Sequence, residues 1–390
     1  MGADDPGSNP GSPIKILSKV VIMNFKIKNF FGNARISELR TKHSRVELPN
    51  FMPVATKAAA KYLNCYHLKE LGVEAIISNS FLLYLKPGVK VMKEFGGLHK
   101  FMNFNKTIFT DCGGFQKLRP MFLESNNLGI TFKSPFTGEK HFINPKKIIN
   151  IQYELGSDVL VSLDDCPPYG SSLEETMISM KRTHSWAVES LREFENINND
   201  KRLIFGICQG GFFKKSRIES ASFINSLNFD GVAIGGLRIG ESFEKTFEML
   251  RYSISEIDDE KPRYLMGVGN PADIVRAVRM GVDLFDSIYP VENARHGNIF
   301  TSNGKIDIEK AKFSNNKERL DENCNCKVCR KYSKAYIHHL FKTDEELGKF
   351  LAVYHNQYFM QDLMRKIRAS IKDGSIGELE REIVKKFKTK

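Results

Sequence analysis

The chain has 390 residues, of which 41% are hydrophobic and 27% are charged, as in ordinary globular proteins and unlike disordered chains. It contains no apolar run near the roughly 20 residues that a membrane-spanning helix needs, so we expect a cytoplasmic protein without a membrane partner. The formal net charge of +12 favours a polyanionic partner such as nucleic acid, although a lysine-rich host composition would give the same charge.

The N-terminal segment MGADDPGSNPGSP is rich in Gly, Pro and Ser, a composition typical of disordered chain. Asp4 and Asp5 argue against a transit peptide, which is poor in acids. We therefore predict a disordered extension over residues 1–23. Residues 25–54 then have the pattern of short strands that cover one end of a larger domain.

Eight short apolar runs follow, mostly separated by stretches with helical periodicity. Strands that alternate with helices form a parallel sheet, so eight such units predict an α/β protein with a (β/α)₈ barrel. Enzymes with this barrel have their chemistry at the carboxyl ends of the strands. The runs are FMPVAT (51–56), AIISN (75–79), TIFTD (107–111), DVLVSLDD (158–165), LIFGICQGG (203–211), GVAIGGL (231–237), RYLMGVG (263–269) and DLFDS (283–287).

Helical periodicity between the later runs is clearest at residues 173–195, 214–227 and 243–254. Residues 118–150, between the third and fourth runs, are too many for an ordinary loop and carry several lysines. We predict that this segment is an insertion over the active face of the barrel domain, which we assign to residues 24–300.

The composition then becomes polar and cysteine-bearing, and two amphipathic helices are predicted at 345–358 and 359–373. A C-x-C-x₂-C motif and a later helical histidine supply three thiolates and one imidazole. This set completes the tetrahedral shell of zinc, which indicates one structural Zn²⁺ per chain in a C-terminal subdomain, residues 301–390. His338 and His339 are alternative fourth ligands, and unligated surface cysteines are the alternative to a metal site. The predicted ligands are Cys324, Cys326, Cys329 and His355.

An aspartate stands at the end of three of the predicted strands: Asp111, Asp164 and Asp286. Because the carboxyl ends of barrel strands meet at one face, these residues predict a site rich in carboxylates. An aspartate at a strand end also occurs as the N-cap of the next helix or as an ordinary loop residue. Matching groups at several strand ends favour the site.

The neighbouring residues suit a planar heterocycle with donors and acceptors on one edge. A strand-end carboxylate accepts two N–H groups, and Gln209 together with a backbone N–H of the segment IGGL (234–237) satisfies a carbonyl. Phe115 and Met266 then cover the two faces of the ring, although each residue type is also typical of a core. Gly-Gly pairs are also common in plain turns.

None of the strand-end runs contains a histidine, which weighs against two other kinds of active site, a thiol nucleophile and a metal-dependent hydrolase. Cys112, Cys166 and Cys208 suggest a thiol nucleophile, but no histidine there stands ready to activate them, so we interpret them as small buried hydrophobes. A barrel metal-dependent hydrolase would need histidine ligands beside the three acids.

The ordered motifs of the chain resemble those of the tRNA-guanine transglycosylases, the queuine tRNA-ribosyltransferase family. The resemblance runs from about residue 25 to the C-terminus and is closer to the bacterial and eukaryotic branch than to the archaeal one. It implies an irregular (β/α)₈ barrel with a C-terminal zinc-binding subdomain. The motifs are TDCGGFQ, GSDVLVSLDDCPPY, GICQGG, AIGGL-x-x-GE, PRYLMGVG-x-P, FDSIYP-x-x-NARHG and CNCKVC.

The resemblance implies exchange of guanine at wobble position 34 of tRNAs with a G-U-N anticodon for a 7-deazaguanine, in queuosine modification and without ATP. It also implies a homodimer. Asp286 matches the nucleophile, which attacks the ribose anomeric carbon and forms a covalent tRNA–enzyme intermediate. Asp111 matches the general acid/base.

The binding residues are implied in the same way. Asp164 matches the acid that binds the N1–H and the exocyclic amine of the base, and Gln209 with the Gly236 N–H matches the groups that bind its carbonyl. Phe115 and Met266 match the residues on the two faces of the ring. The remaining implied contacts are Leu237 and Cys166 with the base, and Arg295 and His296 with the tRNA.

Some positions depart from the family pattern. Cys112 stands where serine is usual, Leu82 replaces a histidine, and Glu292 replaces an arginine that helps to bind the anticodon bases. These changes leave open a paralogue acting on another nucleic acid or deazapurine. A non-catalytic tRNA-binding subunit is a further alternative, which the presence of Asp111 and Asp286 disfavours.

The base pocket also shows substitutions. Ile239 with Cys166 resembles the tight pocket for preQ1, a small 7-deazaguanine, rather than the glycine-opened pocket for queuine. We therefore expect preQ1 in preference to queuine. Arg238 has no counterpart in the family pattern.

Overall fold

The computed structural model describes residues 24–118 and 120–387, except for the side chains of Phe115 and Gln116. The predicted extension, residues 1–23, lies outside the described residues. The strands are β1 (Phe25–Phe31), β2 (Ala34–Arg40), β3 (Arg45–Leu48), β4 (Asn50–Pro53), β5 (Ala75–Asn79), β6 (Thr107–Asp111), β7 (Phe122–Asn126), β8 (Gly129–Lys133), β9 (Lys140–Ile143), β10 (Val159–Val161), β11 (Leu203–Cys208), β12 (Gly231–Ile234), β13 (Arg263–Leu265), β14 (Leu284–Ser287), β15 (Asn298–Thr301) and β16 (Gly304–Asp307).

The α-helices alternate with most of these strands, and three short segments have other helical geometries. Tyr84–Gly88 forms a π-helix, and Gly114–Leu118 and Ala311–Phe313 form 3₁₀-helices. The α-helices are α1 (Cys65–Glu70), α2 (Ser80–Leu83), α3 (Val89–Phe95), α4 (Leu98–Met102), α5 (Pro145–Leu155), α6 (Leu173–Ile197), α7 (Lys214–Ser226), α8 (Phe243–Ile254), α9 (Pro271–Arg279), α10 (Tyr289–Arg295), α11 (Lys327–Lys331), α12 (Lys334–Lys342), α13 (Glu346–Asp373) and α14 (Ile376–Phe387).

A parallel sheet of eight strands forms the barrel, in the order β4, β14, β13, β12, β11, β10, β6, β5. The first and last strands of this order meet at a bridge between Val54 and Ile77, where the Ala55 N–H donates to the Ile77 carbonyl at 2.7 Å. Each of the eight predicted runs overlaps one strand of this sheet, so the predicted α/β barrel is confirmed. The runs are mostly apolar because both faces of the sheet are buried, one by helices and one by the barrel interior.

The antiparallel strands β1, β2 and β3 cover the amino end of the barrel, as the pattern of residues 25–54 predicts. Arg35 in β2 is buried and donates two hydrogen bonds to Asp283, at 2.9 Å from Nε and 2.6 Å from Nη2. Asp283 immediately precedes β14, so this ion pair fixes the small sheet to the barrel.

The three predicted barrel helices are also present, as α6, α7 and α8. Helix α6 begins with a capping box: Ser172 Oγ accepts the Glu175 N–H at 3.2 Å, and the Glu175 carboxylate accepts the Ser172 N–H at 2.8 Å. Between β6 and α5, the antiparallel strands β7, β8 and β9 form a separate sheet. Ser125 of β7 connects this sheet to the barrel, because its Oγ donates to buried Asp165 Oδ2 at 3.4 Å and accepts from Arg182 Nη1 of α6 at 3.1 Å.

In the C-terminal region, the prediction of two helices at 345–358 and 359–373 is wrong, because α13 runs unbroken through both. The change in apolar pattern at residue 358 reflects a change of neighbours rather than a helix end. The first half of α13 packs near the cysteine cluster, and the second half contacts the barrel: Gln361 donates to the Phe51 carbonyl at 3.1 Å and Arg368 to the Pro49 carbonyl at 2.8 Å. None of the helices in the described residues combines the length and apolarity needed to span a bilayer.

Candidate active site

A cavity of about 740 Å³ opens at the carboxyl ends of the barrel strands. The three predicted acids line it together with predicted base-binding residues, although they come from distant parts of the sequence. The fold therefore brings into one site the side chains that the strand-end argument selected. The predicted residues that line the cavity are Asp111, Asp164, Asp286, Cys166, Gln209, Gly236, Leu237 and Met266.

Asp286, in β14, accepts two hydrogen bonds on one oxygen. The Tyr264 O–H donates to Oδ1 at 2.6 Å and the Gly267 N–H donates to the same atom at 2.8 Å. Burial raises the pKa of Asp286, and these two donors oppose that rise by stabilising the carboxylate. Because both bonds use Oδ1, Oδ2 is the oxygen that stays available to a substrate.

Asp111, the last residue of β6, is the second carboxyl group of the cavity. Asn79 Nδ2 donates to its Oδ2 at 3.0 Å, and the Gly113 N–H donates to its Oδ1 at 3.1 Å. Burial raises the pKa of Asp111 to about 7, and the negative charge of Asp286 adds to the rise. At neutral pH this group therefore exists in both protonation states, as a general acid/base requires.

Asp164 and Gln209 form a hydrogen-bonded pair within the cavity. Gln209 Nε2 donates to Asp164 Oδ2 at 2.6 Å, and the Cys112 thiol donates to Asp164 Oδ1 at 3.2 Å. Gln209 Oε1 is buried and has no hydrogen-bond partner among the residues that the structure describes. A buried acceptor without a donor costs free energy, so the hydrogen bonds of this pair are suited to rearrange when a ligand brings its own donors and acceptors.

The backbone approaches both of these side chains closely at glycine positions. A Cβ on Gly114 would lie 2.1 Å from Asp164 Oδ1, and a Cβ on Gly236 would lie 2.4 Å from Gln209 Oε1. Gly236 also has a φ of 68°, which side chains other than glycine rarely adopt. These two glycines let the main chain lie directly against the Asp164 and Gln209 side chains.

Arg217 of α7 is fully buried and binds the loops that carry these groups. Its guanidinium donates to the carbonyls of Gly211 at 2.7 Å, Gly235 at 2.8 Å and Gly236 at 3.1 Å. Burial lowers the pKa of Arg217. The side chain therefore connects the loop after β11 to the loop after β12 and fixes their relative position.

The thiols of the site are unsuited to nucleophilic attack. Cys112, Cys166 and Cys208 are all buried, as the sequence predicts. Burial raises the pKa of the Cys166 thiol to about 12, that of Cys208 to about 11, and that of Cys112 well above its ordinary value. A thiol with such a pKa stays protonated at neutral pH and is a poor nucleophile.

The Phe115 side chain lies outside the described residues, so its predicted place on the base is not tested.

Arg238 lies in the wall of the cavity with strained backbone. Its φ is 59°, in the left-handed region, and its Nε is 2.9 Å from Asp273 Oδ2. Glu292 also lines the cavity. Arg295 ends α10 and His296 follows it, and the residues that line the cavity include neither of them.

The four predicted metal ligands lie together and are buried. The Sγ atoms of Cys324, Cys326 and Cys329 are 3.8, 3.5 and 3.3 Å from His355 Nδ1. The other ring nitrogen of His355 bonds to the Phe300 carbonyl at 2.7 Å, which orients Nδ1 toward the sulfurs. The arrangement is that of a four-coordinate metal site.

The two alternative fourth ligands are not part of this cluster. His338 Nδ1 bonds to the Ile308 carbonyl at 2.8 Å, and His339 is exposed. The three cysteines are buried around one imidazole and do not lie at the surface, which disfavours the alternative of free surface cysteines.

Three residues in or behind the site were not predicted as site residues from the sequence: Asn79, Tyr264 and Arg217. Asn79 ends the predicted strand AIISN, so the strand-end rule applied to polar residues in general would have found it. Tyr264 lies two residues before Met266, and in a strand residues two apart point to the same face of the sheet. Arg217 gives no signal in the sequence, since an arginine in a helix is ordinarily exposed.

Comparison with known proteins assigns the chain to a family. A model of the queuine tRNA-ribosyltransferase family matches residues 31–389. Queuine tRNA-ribosyltransferase of Thermosipho africanus is 41% identical over 368 residues, which is 94% of this chain and 99% of that protein. The protein of the same name from Caldanaerobacter subterraneus is 42% identical over 91% of this chain and 94% of its own length. The one from Thermotoga maritima is 41% identical over 94% of this chain and 98% of its own length. The predicted family is confirmed, and the chain belongs to the queuine tRNA-ribosyltransferase family of transferases.

Proposed function

We propose that this protein is a tRNA-guanine transglycosylase that exchanges guanine at wobble position 34 of G-U-N anticodon tRNAs for a 7-deazaguanine in queuosine modification. The observation that carries the proposal is the pair of buried carboxyl groups, Asp111 and Asp286, in one cavity with the Asp164–Gln209 pair. Family membership and the net charge of +12 support a tRNA substrate.

In the first half of the reaction, Asp286 Oδ2 attacks C1′ of the ribose as the bond from C1′ to guanine N9 breaks. Protonated Asp111 transfers its proton to the departing guanine, which leaves as the neutral base. The tRNA is then held as an ester of Asp286. A pKa of about 7 makes Asp111 a suitable acid for this step at neutral pH.

In the second half, the incoming 7-deazaguanine occupies the place of guanine. Asp111, now a carboxylate, takes the proton from its N9–H, and N9 attacks C1′. The bond from C1′ to Asp286 breaks, and the carboxylate is regenerated. Two displacements at C1′ retain the anomeric configuration, and no energy source is needed because one glycosidic bond replaces another.

Base recognition follows from the hydrogen-bond groups around Asp164. Its carboxylate accepts the N1–H and exocyclic amine, while Gln209 and the Gly236 N–H bind the carbonyl, after the bond between Gln209 and Asp164 is exchanged for bonds to the base. Adenine has donor and acceptor reversed at these positions and would leave buried groups unpaired. Leu237 and Met266 line the same cavity, and Phe115 is proposed to cover the other face of the ring.

The incoming base is preQ1 rather than queuine in this proposal. Ile239 and Cys166 line the cavity, and both occupy space that a larger substituent on the deazaguanine would need. A base with a small aminomethyl group fits this wall better than one that carries a cyclopentene ring.

Zinc is the proposed metal of the Cys₃His cluster. Three thiolates and one imidazole whose second nitrogen is bonded to a carbonyl are the ligand set that structural zinc sites use. When bound, the ion links the segment around Cys324 to α13, which also contacts the barrel. It has no open position for water and takes no part in the exchange.

The proposal also includes contacts with the tRNA, a homodimer, and a division of the chain into two domains. Arg295 and His296 follow the nucleophile strand and are proposed to contact the anticodon loop beyond the base cavity. The barrel with its inserted strands (24–300) and the region 301–390 then form the two parts of one tRNA-binding surface. Light scattering of the purified protein tests the homodimer.

The exchange assay tests the function directly. Full-length protein is incubated with radiolabelled guanine and an unmodified G-U-N tRNA, with the same transcript carrying adenine at position 34 as the control. We expect label in the first RNA and none in the second. Absence of label in both, under conditions in which a relative of this family is active, contradicts the proposal. Competition between unlabelled preQ1 and queuine then decides the base.

A further inference from the structure

A second group of metal-ligand side chains lies at the opposite end of the barrel from the cavity. His43 is in the turn between β2 and β3, His99 is in α4, and Asp158 immediately precedes β10. Among the described residues, only this group and the Cys₃His cluster place three or more such ligand atoms within 4.8 Å of one another. The exchange reaction uses none of the three residues.

Both imidazoles of this group face one carboxylate. His43 Nδ1 lies 2.6 Å from Asp158 Oδ1, and His99 Nε2 lies 2.9 Å from Asp158 Oδ2. The two rings are stacked, with centroids 3.6 Å apart and an interplanar angle of 20°. The Lys106 carbonyl oxygen lies 3.1 Å from His99 Nε2 and is a fourth potential ligand atom beside the two imidazoles and the carboxylate.

The three side chains differ in exposure in a way that suits an ion entering from solvent. Asp158 is fully buried, and its Oδ2 also accepts the Ile108 N–H at 2.9 Å, which fixes the carboxylate on the barrel. The His99 side chain is 11% exposed and the His43 side chain is 34% exposed. The buried acid is thus a fixed ligand, and His43 is the ligand nearest to solvent.

We propose that His43, His99 and Asp158, together with the Lys106 carbonyl, bind a divalent transition-metal ion of the zinc class. Two imidazoles with one carboxylate favour zinc, cobalt or nickel, whereas calcium and magnesium prefer oxygen ligands throughout. Each imidazole presents a lone pair to the ion by moving its proton to the other ring nitrogen. Metal–nitrogen bonds of about 2.0–2.1 Å require the ligand atoms to separate slightly. Stacked rings do not direct their in-plane lone pairs to one point, so binding also requires the partly exposed His43 side chain to rotate out of the stack.

The bound ion would link three parts of the amino end of the barrel. It connects the hairpin of β2 and β3 to α4 and to the residue that begins β10. This end of a barrel serves stability rather than catalysis, so the ion stabilises the fold and leaves the exchange reaction unchanged.

Cobalt titration of the full-length protein tests the site, because cobalt distinguishes the two ligand sets. Cobalt bound by cysteines gives an intense thiolate-to-metal charge-transfer band, whereas cobalt bound by two histidines and an aspartate gives only weak d–d bands. We expect two equivalents of cobalt per chain by elemental analysis, of which one adds d–d absorption without charge transfer. His43→Ala and His99→Gln should each lose that equivalent and keep the other.

Matched controls make the result decisive. His339→Ala removes an exposed histidine outside the group and should keep both equivalents. A hydrogen-bond network without metal is the rival account of the same contacts. One equivalent in the wild type, or a second equivalent that persists in both His43→Ala and His99→Gln, overturns the proposal, and the wild-type result stands even if a variant fails to fold.

Discussion

Buried aspartates at the two ends of the barrel have different partners, and strand β14 shows both cases. Asp283, just before the strand, accepts hydrogen bonds from the Arg35 guanidinium at 2.9 and 2.6 Å and from the Arg263 N–H at 2.7 Å. Asp286, near the other end, accepts from two neutral donors in the described part of the chain, the Tyr264 O–H and a main-chain N–H, and burial raises its pKa.

The difference separates a carboxylate that supports the fold from one that serves chemistry. A buried carboxylate with a cation and several donors is compensated for its lost hydration and does not need a ligand. One with few donors retains reactivity and gains its remaining partner from the substrate. Among the described residues that line the cavity, six are acids and one, Arg238, is basic. The acids at the carboxyl end of the barrel therefore outnumber the cations that could neutralise them. The six acids are Asp111, Asp164, Glu241, Asp273, Asp286 and Glu292.

The largest effect should come from Asp286→Asn. The amide cannot attack C1′ and form the ester, so we expect guanine exchange to fall by about 10⁴-fold or more. The fold should be retained, because the amide still accepts from Tyr264. Radiolabelled guanine incorporation measures the activity and thermal unfolding the stability. Exchange within tenfold of the wild type would show that another group is the nucleophile.

Asp111→Asn should slow exchange by about 10²–10⁴-fold, the usual contribution of a positioned general acid/base. In the wild type, release of guanine needs protonated Asp111, whose pKa is raised to about 7, so this step should slow as the pH rises above about 7. The variant should lose that dependence. A pH profile of single-turnover guanine release, compared between the two proteins, measures it.

The same residue gives a stability prediction whose sign follows from its pKa. Its ordinary value is 3.8 and its folded value is about 7, so the folded state binds the proton more tightly. The wild type therefore loses stability as the pH rises from about 4 to about 7, and Asp111→Asn does not. We expect the variant to be the more stable protein at pH 8 and to match the wild type at pH 4. Urea unfolding at both pH values checks this, and a variant less stable at pH 8 would contradict the comparison.

Asp283→Asn tests the other end of strand β14. It removes the buried counter-ion of the Arg35 guanidinium and leaves the exposed Asp259, whose Oδ1 is 3.6 Å from Arg35 Nη1, as the remaining acid beside it, so we expect the free energy of unfolding to fall by about 3–5 kcal/mol. Exchange by the folded fraction at low temperature should stay close to that of the wild type. A loss of less than about 1 kcal/mol in urea unfolding would show that the fold does not depend on this pair.

Cys112→Ser should have the smallest effect. A hydroxyl donates to Asp164 Oδ1 more strongly than the thiol, which lies 3.2 Å away, and so favours the carboxylate that binds the base. We expect the KM for guanine to fall by up to about fivefold, equivalent to about 1 kcal/mol, with kcat unchanged. Cys208→Ser is the control, since Cys208 is buried outside the residues that line the cavity. A higher KM in Cys112→Ser would contradict the role of this contact.

The barrel could be predicted because its strands are buried on both faces and therefore appear as uninterrupted apolar runs such as TIFTD and LIFGICQGG. The strand-end acids followed from the geometry of parallel sheets, and the Cys₃His cluster from ligand spacing. Helix α13 was wrongly divided, because its apolar face changes where its neighbours change, and a single sequence does not show those neighbours.

The parts of the site that escaped prediction depend on tertiary contacts. Arg217 binds three carbonyls that only the folded loops bring within reach. The pKa of Asp111 depends on burial and on the charge of a residue from a distant strand. The left-handed backbone of Arg238 is imposed by the loop, whose Glu241 accepts its N–H.

The most direct test of the central claim is to trap the covalent intermediate. Wild-type protein and Asp286→Asn are each incubated with a G-U-N tRNA and without a second base, then separated under denaturing conditions. The account predicts a protein–RNA adduct in the wild type, linked through Asp286 by mass spectrometry and absent from the variant. An adduct in the variant, a linkage to another residue, or active wild-type protein that forms no adduct would contradict it.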